Sequence, residues 1–203
     1  MKFFYGRRMM RHEKKARKKG HNLIAGVDEA GRGPLAGPVV AAAVVIHDYD
    51  FLNEINDSKI LSPKKRLLAY NEIIKRSTIG ISLVDEEIID RINIRRATML
   101  AMEEAVINLS LEPDILLIDG MLKLDLPYEQ QHIIRGDSQS LSIAAASIIA
   151  KVTRDTLMVT YHSLYPRYRF DLHKGYGTKT HISAIRKHGL SPIHRKTFKL
   201  HSI

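Results

Sequence analysis

The sequence contains no cysteine. This absence excludes disulfide bonds, zinc sites built on thiolates and catalysis by a thiol nucleophile. A reducing compartment is the simplest one for such a chain, so we expect the protein to be cytoplasmic.

Long apolar runs are also absent. The longest apolar stretches are Val39–Ile46 and Ile143–Ala150, and Ser147 interrupts the second. A helix needs about 20 apolar residues to cross a bilayer, so we expect no membrane segment, and no apolar segment of a secretory signal follows the basic N-terminus. Hydrophobic residues still make up 44% of the 203 residues, which suits one domain with a sizeable core.

Charge is unevenly distributed along the chain, whose formal net charge is +10. Residues 1–20 contain nine Lys or Arg against one Glu, and residues 164–203 contain nine against one Asp, whereas the segment between them is net acidic. Two basic ends around an acidic centre favour a protein that grips a polyanion and processes it at carboxylates. A solvated basic surface explains the charge alone equally well.

Residues 1–21 are charge-dense and lack a clear apolar face. We interpret them as a basic N-terminal arm, mobile or a frayed helix, that can touch phosphates. Folded structure is then expected to begin near Asn22, in one domain of residues 22–203.

The hydrophobic pattern predicts an α/β fold. Strands are predicted at 23–27, 38–46, 78–84, 114–118 and 132–134. Helices are predicted to begin at Ser62–Pro63 and Asp85, and to span about 94–109, 143–164 and 179–188. The three early strands favour an antiparallel meander, and the later strands alternate with helices, which favours parallel addition. We therefore expect a mixed five-stranded sheet flanked by helices, with a helical C-terminal extension from about residue 165.

Four acidic residues follow apolar runs at predicted strand ends: Asp28, Glu29, Asp119 and Asp137. Ligand sites gather at strand ends in α/β sheets, and converging carboxylates repel one another unless a divalent cation neutralises them. Hard oxygen donors without nearby Cys or clustered His indicate Mg²⁺ or Mn²⁺. Asp28 and Glu29 face opposite ways on a regular strand, so a shared site requires the strand to distort. Taken singly, each acid is better explained as a turn former or helix cap, so the interpretation depends on the set of four.

The segment Gly31-Arg32-Gly33-Pro34-Leu35-Ala36 fits a dinucleotide-binding pattern. That pattern should open a helix, whereas a β-branched strand follows here, and the two preceding carboxylates would repel a pyrophosphate. We interpret Gly31 and Gly33 as allowing close approach of the backbone to a substrate sugar or phosphate, with Arg32 beside it.

Residues 27–39 (VDEAGRGPLAGPV) resemble the N-terminal signature of the ribonuclease HII family. Further motifs follow in that family's order: DSKILS at 57–62, IDG at 118–120, GD at 136–137, SIAAASIIAKVTRD at 142–155, HKGYGT at 173–178 and HR at 194–195. Each motif alone is weak evidence, but jointly they are specific. The resemblance covers about residues 22–198 and leaves out the basic arm.

The resemblance implies a ribonuclease H-like fold and an endonuclease that cuts the RNA strand of RNA–DNA hybrids and nicks duplex DNA 5′ of embedded ribonucleotides. Two ions of Mg²⁺ or Mn²⁺ would be held by the four carboxylates, and the products would carry a 5′-phosphate and a 3′-hydroxyl. Gly31, Arg32 and Gly33 would read the 2′-hydroxyl and adjoining phosphate, and Tyr176 would stack on the sugar at the junction.

Other polar residues carry weaker expectations. Lys59, Ser142, Lys151 and Arg154 are candidate phosphate contacts, although each cation can equally be a solvated or helix-pairing charge and Ser142 can simply cap a helix. His173, His181 and His194 receive no chemical role. We expect the protein to act as a monomer.

The sequence leaves two other functions open. The first is a non-catalytic nucleic-acid-binding protein that uses its basic ends and Tyr176. The second is a resolvase-like nuclease on the same fold. Central carboxylates argue against a simple binder, and the Gly-Arg-Gly turn with Tyr176 argues for 2′-hydroxyl recognition.

Overall fold

In the computed structural model of the protein, residues 9–199 are described. Within them one sheet contains β1 (Ile24–Ala30), β2 (Val39–Ile46), β3 (Ser77–Val84), β4 (Ile115–Asp119) and β5 (Glu129–Ile133). The helices are α1 (Arg11–Lys18), α2 (Pro63–Arg76), α3 (Glu86–Ile107), α4 (Leu141–Leu164), α5 (Phe170–His173) and α6 (Lys179–His188). Short 3₁₀ turns lie at Gly136–Ser138 and Pro166–Tyr168.

The first three strands form the predicted antiparallel meander. β2 is buried along its whole length, as expected for a run of alanine and β-branched residues that packs on both faces. It pairs antiparallel with β1 and with β3, so that Val45 lies between Ala25 and Thr78.

The last two strands are added in parallel. β4 pairs with β1 and β5 pairs with β4, which gives the strand order β3-β2-β1-β4-β5. The predicted mixed five-stranded sheet is therefore confirmed. All three parallel strands end at the same edge of the sheet, and that edge carries the candidate site.

Helices cover both faces of this sheet. Ala41, Ala43 and Val45 pack with α3, whereas Ala42 and Val44 pack with α4 on the opposite face, following the two-residue alternation of a strand. The N-terminus of α4 lies directly on Gly26, where a Cβ atom would stand 2.1 Å from the backbone carbon of Ser142. This close approach fixes the start of α4 relative to β1.

Helix α3 is kinked at Asn93, which has a φ of 67°. The Asn93 side chain accepts hydrogen bonds from the backbone N–H groups of Arg95 and Arg96 at 3.0 and 3.2 Å, and so caps the second segment. The kink explains why the sequence predicts one short helix from Asp85 and a longer one from Ile94.

Helix α1 corrects the interpretation of residues 1–21 as an arm. Residues 1–8 lie outside the described part of the chain, but residues 11–18 form a helix that packs on the domain. Glu13 is fully buried, and its Oε1 accepts hydrogen bonds from the hydroxyl groups of Ser140 and Ser142 at 2.6 and 2.7 Å and from Ser142 N at 3.0 Å. The expectation that folded structure begins near Asn22 is wrong, because this charge-dense segment supplies a buried acceptor to the first turn of α4.

The predicted helical C-terminal extension is present as α5 and α6, after which the chain returns to the glycine turn. His194 bridges to Ala36, and the N–H of Arg195 donates to the Leu35 carbonyl at 2.9 Å. Among residues 9–199, no helix combines the length and apolar character that a bilayer crossing requires.

Candidate active site

Asp28 and Asp119 lie side by side at the carboxyl ends of neighbouring strands. In the parallel pairing of β1 with β4, Val27 lies opposite Ile118, so the next residue on each strand is an aspartate. Asp28 is 5% exposed. The sequence predicted this juxtaposition only through the rule that parallel strands end at one edge.

Glu29 joins the same site without a break in the strand. β1 stays paired with β2 through both acids, with Asp28 opposite Ala42 and Glu29 opposite Ala41. The pairing of β1 with β2 therefore shows no distortion of the kind that a shared site was expected to require. The Glu29 N–H donates to Asp28 Oδ1 at 2.7 Å, and Glu29 Oε1 accepts from Arg32 Nη1 at 3.3 Å.

Asp137 reaches the site from the turn that follows β5. Arg135 adopts a left-handed conformation, and Gly136 then donates its N–H to Asp119 Oδ1 at 2.6 Å. A Cβ atom at Gly136 would stand 2.5 Å from Ile143 Cδ1 and 3.3 Å from Asp119 Oδ1, so a larger residue would require the end of the Ile143 side chain to shift. This turn places Asp137 directly after a residue bound to Asp119.

The carboxylates disturb one another's ionisation. Burial, and then the charges of Glu29 and Asp119, hold the pKa of Asp28 well above its ordinary value. Burial also raises the pKa of Glu29, although the charge of Arg32, which lowers it, outweighs the repulsion by Asp119. Burial, followed by Asp57 and Asp119, raises the pKa of Asp137 to about 6. The site therefore concentrates acidic groups whose charge Arg32 and Lys59 offset only in part.

Lys59 and Asp57 border this cluster. Lys59 is largely exposed, and its Nζ lies 4.0 Å from Asp137 Oδ2. Desolvation acts to lower the pKa of Lys59, but the charges of Asp137, Asp57 and Asp28 raise it above its ordinary value. Asp57 was not singled out from the sequence, although it opens the DSK motif, and its Oδ1 accepts the Lys59 N–H at 2.8 Å.

The donor set matches a hard divalent cation, although the ligand cage is not assembled. Within residues 9–199 no three His, Cys, Asp or Glu side chains are arranged to hold a metal ion as the structure stands. The four acids offer only carboxylate oxygens, the ligands that Mg²⁺ and Mn²⁺ prefer. A bound cation would lower the electrostatic cost that raises the pKa of Asp28, Glu29 and Asp137.

A cavity of about 410 Å³ opens beside the carboxylates. Its lining includes Glu29, Gly31, Arg32, Gly33, Lys59, Lys151 and Tyr176. The Tyr176 ring is half-exposed, and its Cε1 lies 3.8 Å from where a Gly33 Cβ would stand. The structure thus places the glycine turn, Lys59 and Tyr176 around one cavity.

A buried arginine shapes the glycine turn. Arg195 is 2% exposed and donates to the carbonyl oxygens of Gly31, Arg32, Pro34 and Gly37 at 2.6–3.0 Å. The sequence offered only the HR motif as a signal for this role, because an arginine in a basic tail resembles any surface cation.

Two candidate phosphate contacts are placed elsewhere. Arg154 is buried and donates to the carbonyls of Pro38, Ala36 and Lys174, so its guanidinium holds backbone rather than facing the cavity. Ser142 is fully buried and bonded to Glu13, which keeps it away from the cavity. Both side chains therefore bind other parts of the protein and not the cavity.

Comparison with known proteins agrees with this architecture. The model of the family "Ribonuclease HII" matches residues 25–201. Ribonuclease HII of Enterococcus faecalis is 54% identical over 191 residues, covering 94% of this chain and 74% of the relative. Ribonuclease HII of Bacillus pumilus is 56% identical over 191 residues, covering 94% and 75%.

Solved structures show the same fold. Ribonuclease H2 from Pyrococcus horikoshii superposes with a TM-score of 0.73 at 25% identity, covering 88% of this chain and 95% of that one. Bst-RNase HIII in complex with Mn²⁺ has a TM-score of 0.66 at 21% identity, covering 82% and 63%, and shows likeness of fold alone. On the match of its sequence and fold, this chain belongs to the ribonuclease HII family of endoribonucleases.

Proposed function

We propose that the protein hydrolyses the RNA strand of RNA–DNA hybrids and nicks duplex DNA 5′ of embedded ribonucleotides, leaving a 5′-phosphate and a 3′-hydroxyl. The observation that carries this proposal is the position of Asp28, Glu29, Asp119 and Asp137 at one sheet edge, beside the cavity bordered by the glycine turn. Membership of the family supports it.

Asp28, Glu29, Asp119 and Asp137 are the residues that would hold two divalent ions, Mg²⁺ or Mn²⁺. Such ions, when bound, supply an activated water and stabilise the leaving oxygen of a phosphodiester. The oxygen-only donors and the raised pKa values of Asp28, Glu29 and Asp137 support this assignment. Further support comes from the Mn²⁺ bound to Bst-RNase HIII, which has the same fold.

The glycine turn supplies donors for a ribose hydroxyl or phosphate. Arg195 binds the carbonyl oxygens of Gly31 and Arg32. In a planar trans peptide the N–H points opposite to the carbonyl, so the N–H groups of Arg32 and Gly33 point away from Arg195 and stay available to a substrate. The 2′-hydroxyl is the group by which such donors distinguish RNA from DNA.

Tyr176 and two exposed cations complete the substrate surface. The Tyr176 ring closes the cavity opposite Gly33 and presents an apolar face on which a sugar at the RNA–DNA junction can stack. Arg32 and Lys59 are exposed at the cavity, where each can contact a phosphate.

Two alternatives fit less well. A non-catalytic nucleic-acid binder gains nothing from buried carboxylates at the centre of its surface, because they repel phosphate. A resolvase-like nuclease would share the carboxylates but has no use for a glycine turn held open beside an aromatic ring.

The proposal is tested by incubating the protein with a DNA duplex that contains one ribonucleotide, in Mg²⁺, in Mn²⁺ and in chelator. We expect metal-dependent cleavage on the 5′ side of the ribonucleotide, with a 3′-hydroxyl that a polymerase can extend. An all-DNA duplex is the matched control. Binding without cleavage in either metal would favour the nucleic-acid binder, and cleavage of the all-DNA duplex would favour the resolvase-like nuclease.

A further inference from the structure

Three histidines are buried together in the C-terminal extension: His173, His181 and His194. The rings of His173 and His181 stack with their centroids 4.4 Å apart. His181 Nε2 lies 3.0 Å from His194 Nε2, and the ring of Phe170 packs edge-on against His181. These residues lie outside the carboxylate cluster, and nothing in the cleavage reaction described above uses them.

The hydrogen bonds define which nitrogen of each imidazole carries the proton. The Ser191 N–H donates to His194 Nδ1 at 2.8 Å, so the proton of a neutral His194 is on Nε2. His194 Nε2–H then donates to His181 Nε2, which leaves the proton of His181 on Nδ1. His181 Nδ1–H donates in turn to the carbonyl oxygen of Tyr176 at 2.9 Å. Each proton position determines the next, so the series of hydrogen bonds from Ser191 to Tyr176 has one consistent arrangement of protons when both imidazoles are neutral.

Burial keeps both imidazoles in that neutral form. Desolvation is the main cause that lowers the pKa of His181 to about 4 and the pKa of His194 to about 4. The neighbouring His173 lowers both further. A proton added to His181 Nε2 would face the Nε2–H of His194, and one added to His194 Nδ1 would face the Ser191 N–H.

The carbonyl at the end of this chain belongs to the loop that carries the candidate sugar-stacking ring. Tyr176 O also accepts the Thr178 N–H at 2.8 Å, and the neighbouring Gly175 O accepts the Leu35 N–H of the glycine-turn segment at 2.8 Å. Thr178 caps α6, on whose first turn His181 lies. Holding the Tyr176 backbone in this way fixes the direction in which its ring leaves the loop toward Gly33.

We propose that His181, oriented by His194, is a positioning residue for Tyr176, and that it sets the preference of the enzyme for a single embedded ribonucleotide over a long RNA–DNA hybrid. This inference rests on the proposed function, because it requires the Tyr176 ring to stack at the junction. A long hybrid offers many equivalent scissile positions, whereas a single ribonucleotide offers one junction that the ring must meet.

Three substitutions separate positioning from simple packing. His181→Phe keeps an aromatic ring but removes the donor to Tyr176. His181→Asn places an amide N–H near the Nδ1 position and retains that donor. His194→Asn retains an acceptor for Ser191 but removes the donor to His181. His188→Asn is the matched control, because His188 is an exposed histidine on the same helix.

Two readouts are compared at neutral pH. The first is hydrogen exchange of the Tyr176–Thr178 amides, which reports on the loop without any cleavage. The second is the ratio of the cleavage rate on a single-ribonucleotide duplex to that on a long hybrid. Losing one hydrogen bond that orders the loop should speed exchange roughly five-fold in His181→Phe. We expect the ratio to fall by a similar factor, with His194→Asn intermediate and both His181→Asn and His188→Asn close to the wild type.

The outcomes are decisive in each arm. If His181→Phe leaves both the amide exchange rates and the ratio of cleavage rates unchanged, the proposal is overturned. It is also overturned if His181→Phe and His181→Asn both lose cleavage equally on the two substrates, because that result indicates a role in packing alone. If His181→Phe does not fold, the intermediate behaviour of His194→Asn decides. A wild-type protein that cuts neither substrate would refute the proposed function, while the exchange data would still show whether His181 holds the loop.

Discussion

Replacement of Glu13 by alanine tests the finding that α1 belongs to the folded domain. Glu13 Oε1 accepts three hydrogen bonds from Ser140 and Ser142, all of them buried. A hydrogen bond to a charged group contributes about 1.5–3 kcal/mol, but three bonds that share one oxygen are not additive. Glu13 Oε2 is also buried without a hydrogen-bond partner among the described residues. Removing this unsatisfied oxygen is favourable and offsets part of the stability that is lost with the three hydrogen bonds. We expect a net destabilisation of roughly 3 kcal/mol.

The assay is urea unfolding monitored by circular dichroism, supported by the melting temperature. For a chain of this size, roughly 3 kcal/mol corresponds to a decrease of about 6–12 °C. Glu13→Gln retains the acceptor oxygen and should lose about 1 kcal/mol. Lys14→Ala, at an exposed neighbouring position, is the control and should stay within about 0.5 kcal/mol of the wild type. A Glu13→Ala protein as stable as the Lys14→Ala control would refute the reasoning. That result would support the interpretation of residues 1–21 as an arm.

Further predictions follow from single contacts. Gly26→Ala places a Cβ 2.1 Å from the Ser142 backbone, so it should cost at least about 2 kcal/mol in urea unfolding, and a neutral result would mean that α4 can shift freely. Tyr176→Ala should reduce cleavage at single ribonucleotides more than on long hybrids, and equal losses in the two rate assays would remove its junction role. His181 and His194 have a pKa of about 4 in the fold and about 6.5 in the unfolded chain. Between these pH values only the unfolded chain binds protons at the two histidines. The free energy of unfolding is therefore unaffected above pH 6.5, and each histidine should lower it by up to about 3 kcal/mol as the pH falls to 4. The difference in the pH slope of stability between the wild type and His181→Phe, which share all carboxylates and His194, measures the contribution of His181. Identical slopes would show that His181 takes up a proton in the folded protein as readily as in the unfolded chain.

The sheet was predictable because its signals are local. The apolar runs of β1, β2 and β4 indicate buried strands, and Asp28 and Asp119 directly follow the runs of β1 and β4. β5 was predicted only at its C-terminal end. Its sequence, EQQHI, lies on an edge strand where Gln130 and its neighbours are partly exposed, so no apolar alternation marks it.

The supporting residues of the site were not predictable because their roles depend on tertiary contacts. Glu13 is one acid in a basic helix, and its role depends on Ser140 and Ser142, which are more than 120 residues away. In the sequence Arg154 looks like a phosphate ligand and Arg195 like a surface cation, yet both are buried against carbonyls of the segment 31–38. A pattern of residue types cannot distinguish a guanidinium that binds substrate from one that binds backbone.

The most direct test of the central claim, that Asp28 and Asp119 share bound cations, is calorimetric titration of Mn²⁺ into the wild type, Asp28→Asn and Asp119→Asn. The fold should survive in both variants. Asp28→Asn should be no less stable than the wild type, because it removes a carboxyl group whose pKa is raised by burial and then by repulsion from Glu29 and Asp119. We predict that each substitution weakens Mn²⁺ binding and abolishes metal-dependent cleavage. Wild-type Mn²⁺ affinity together with undiminished cleavage in both variants would contradict the account.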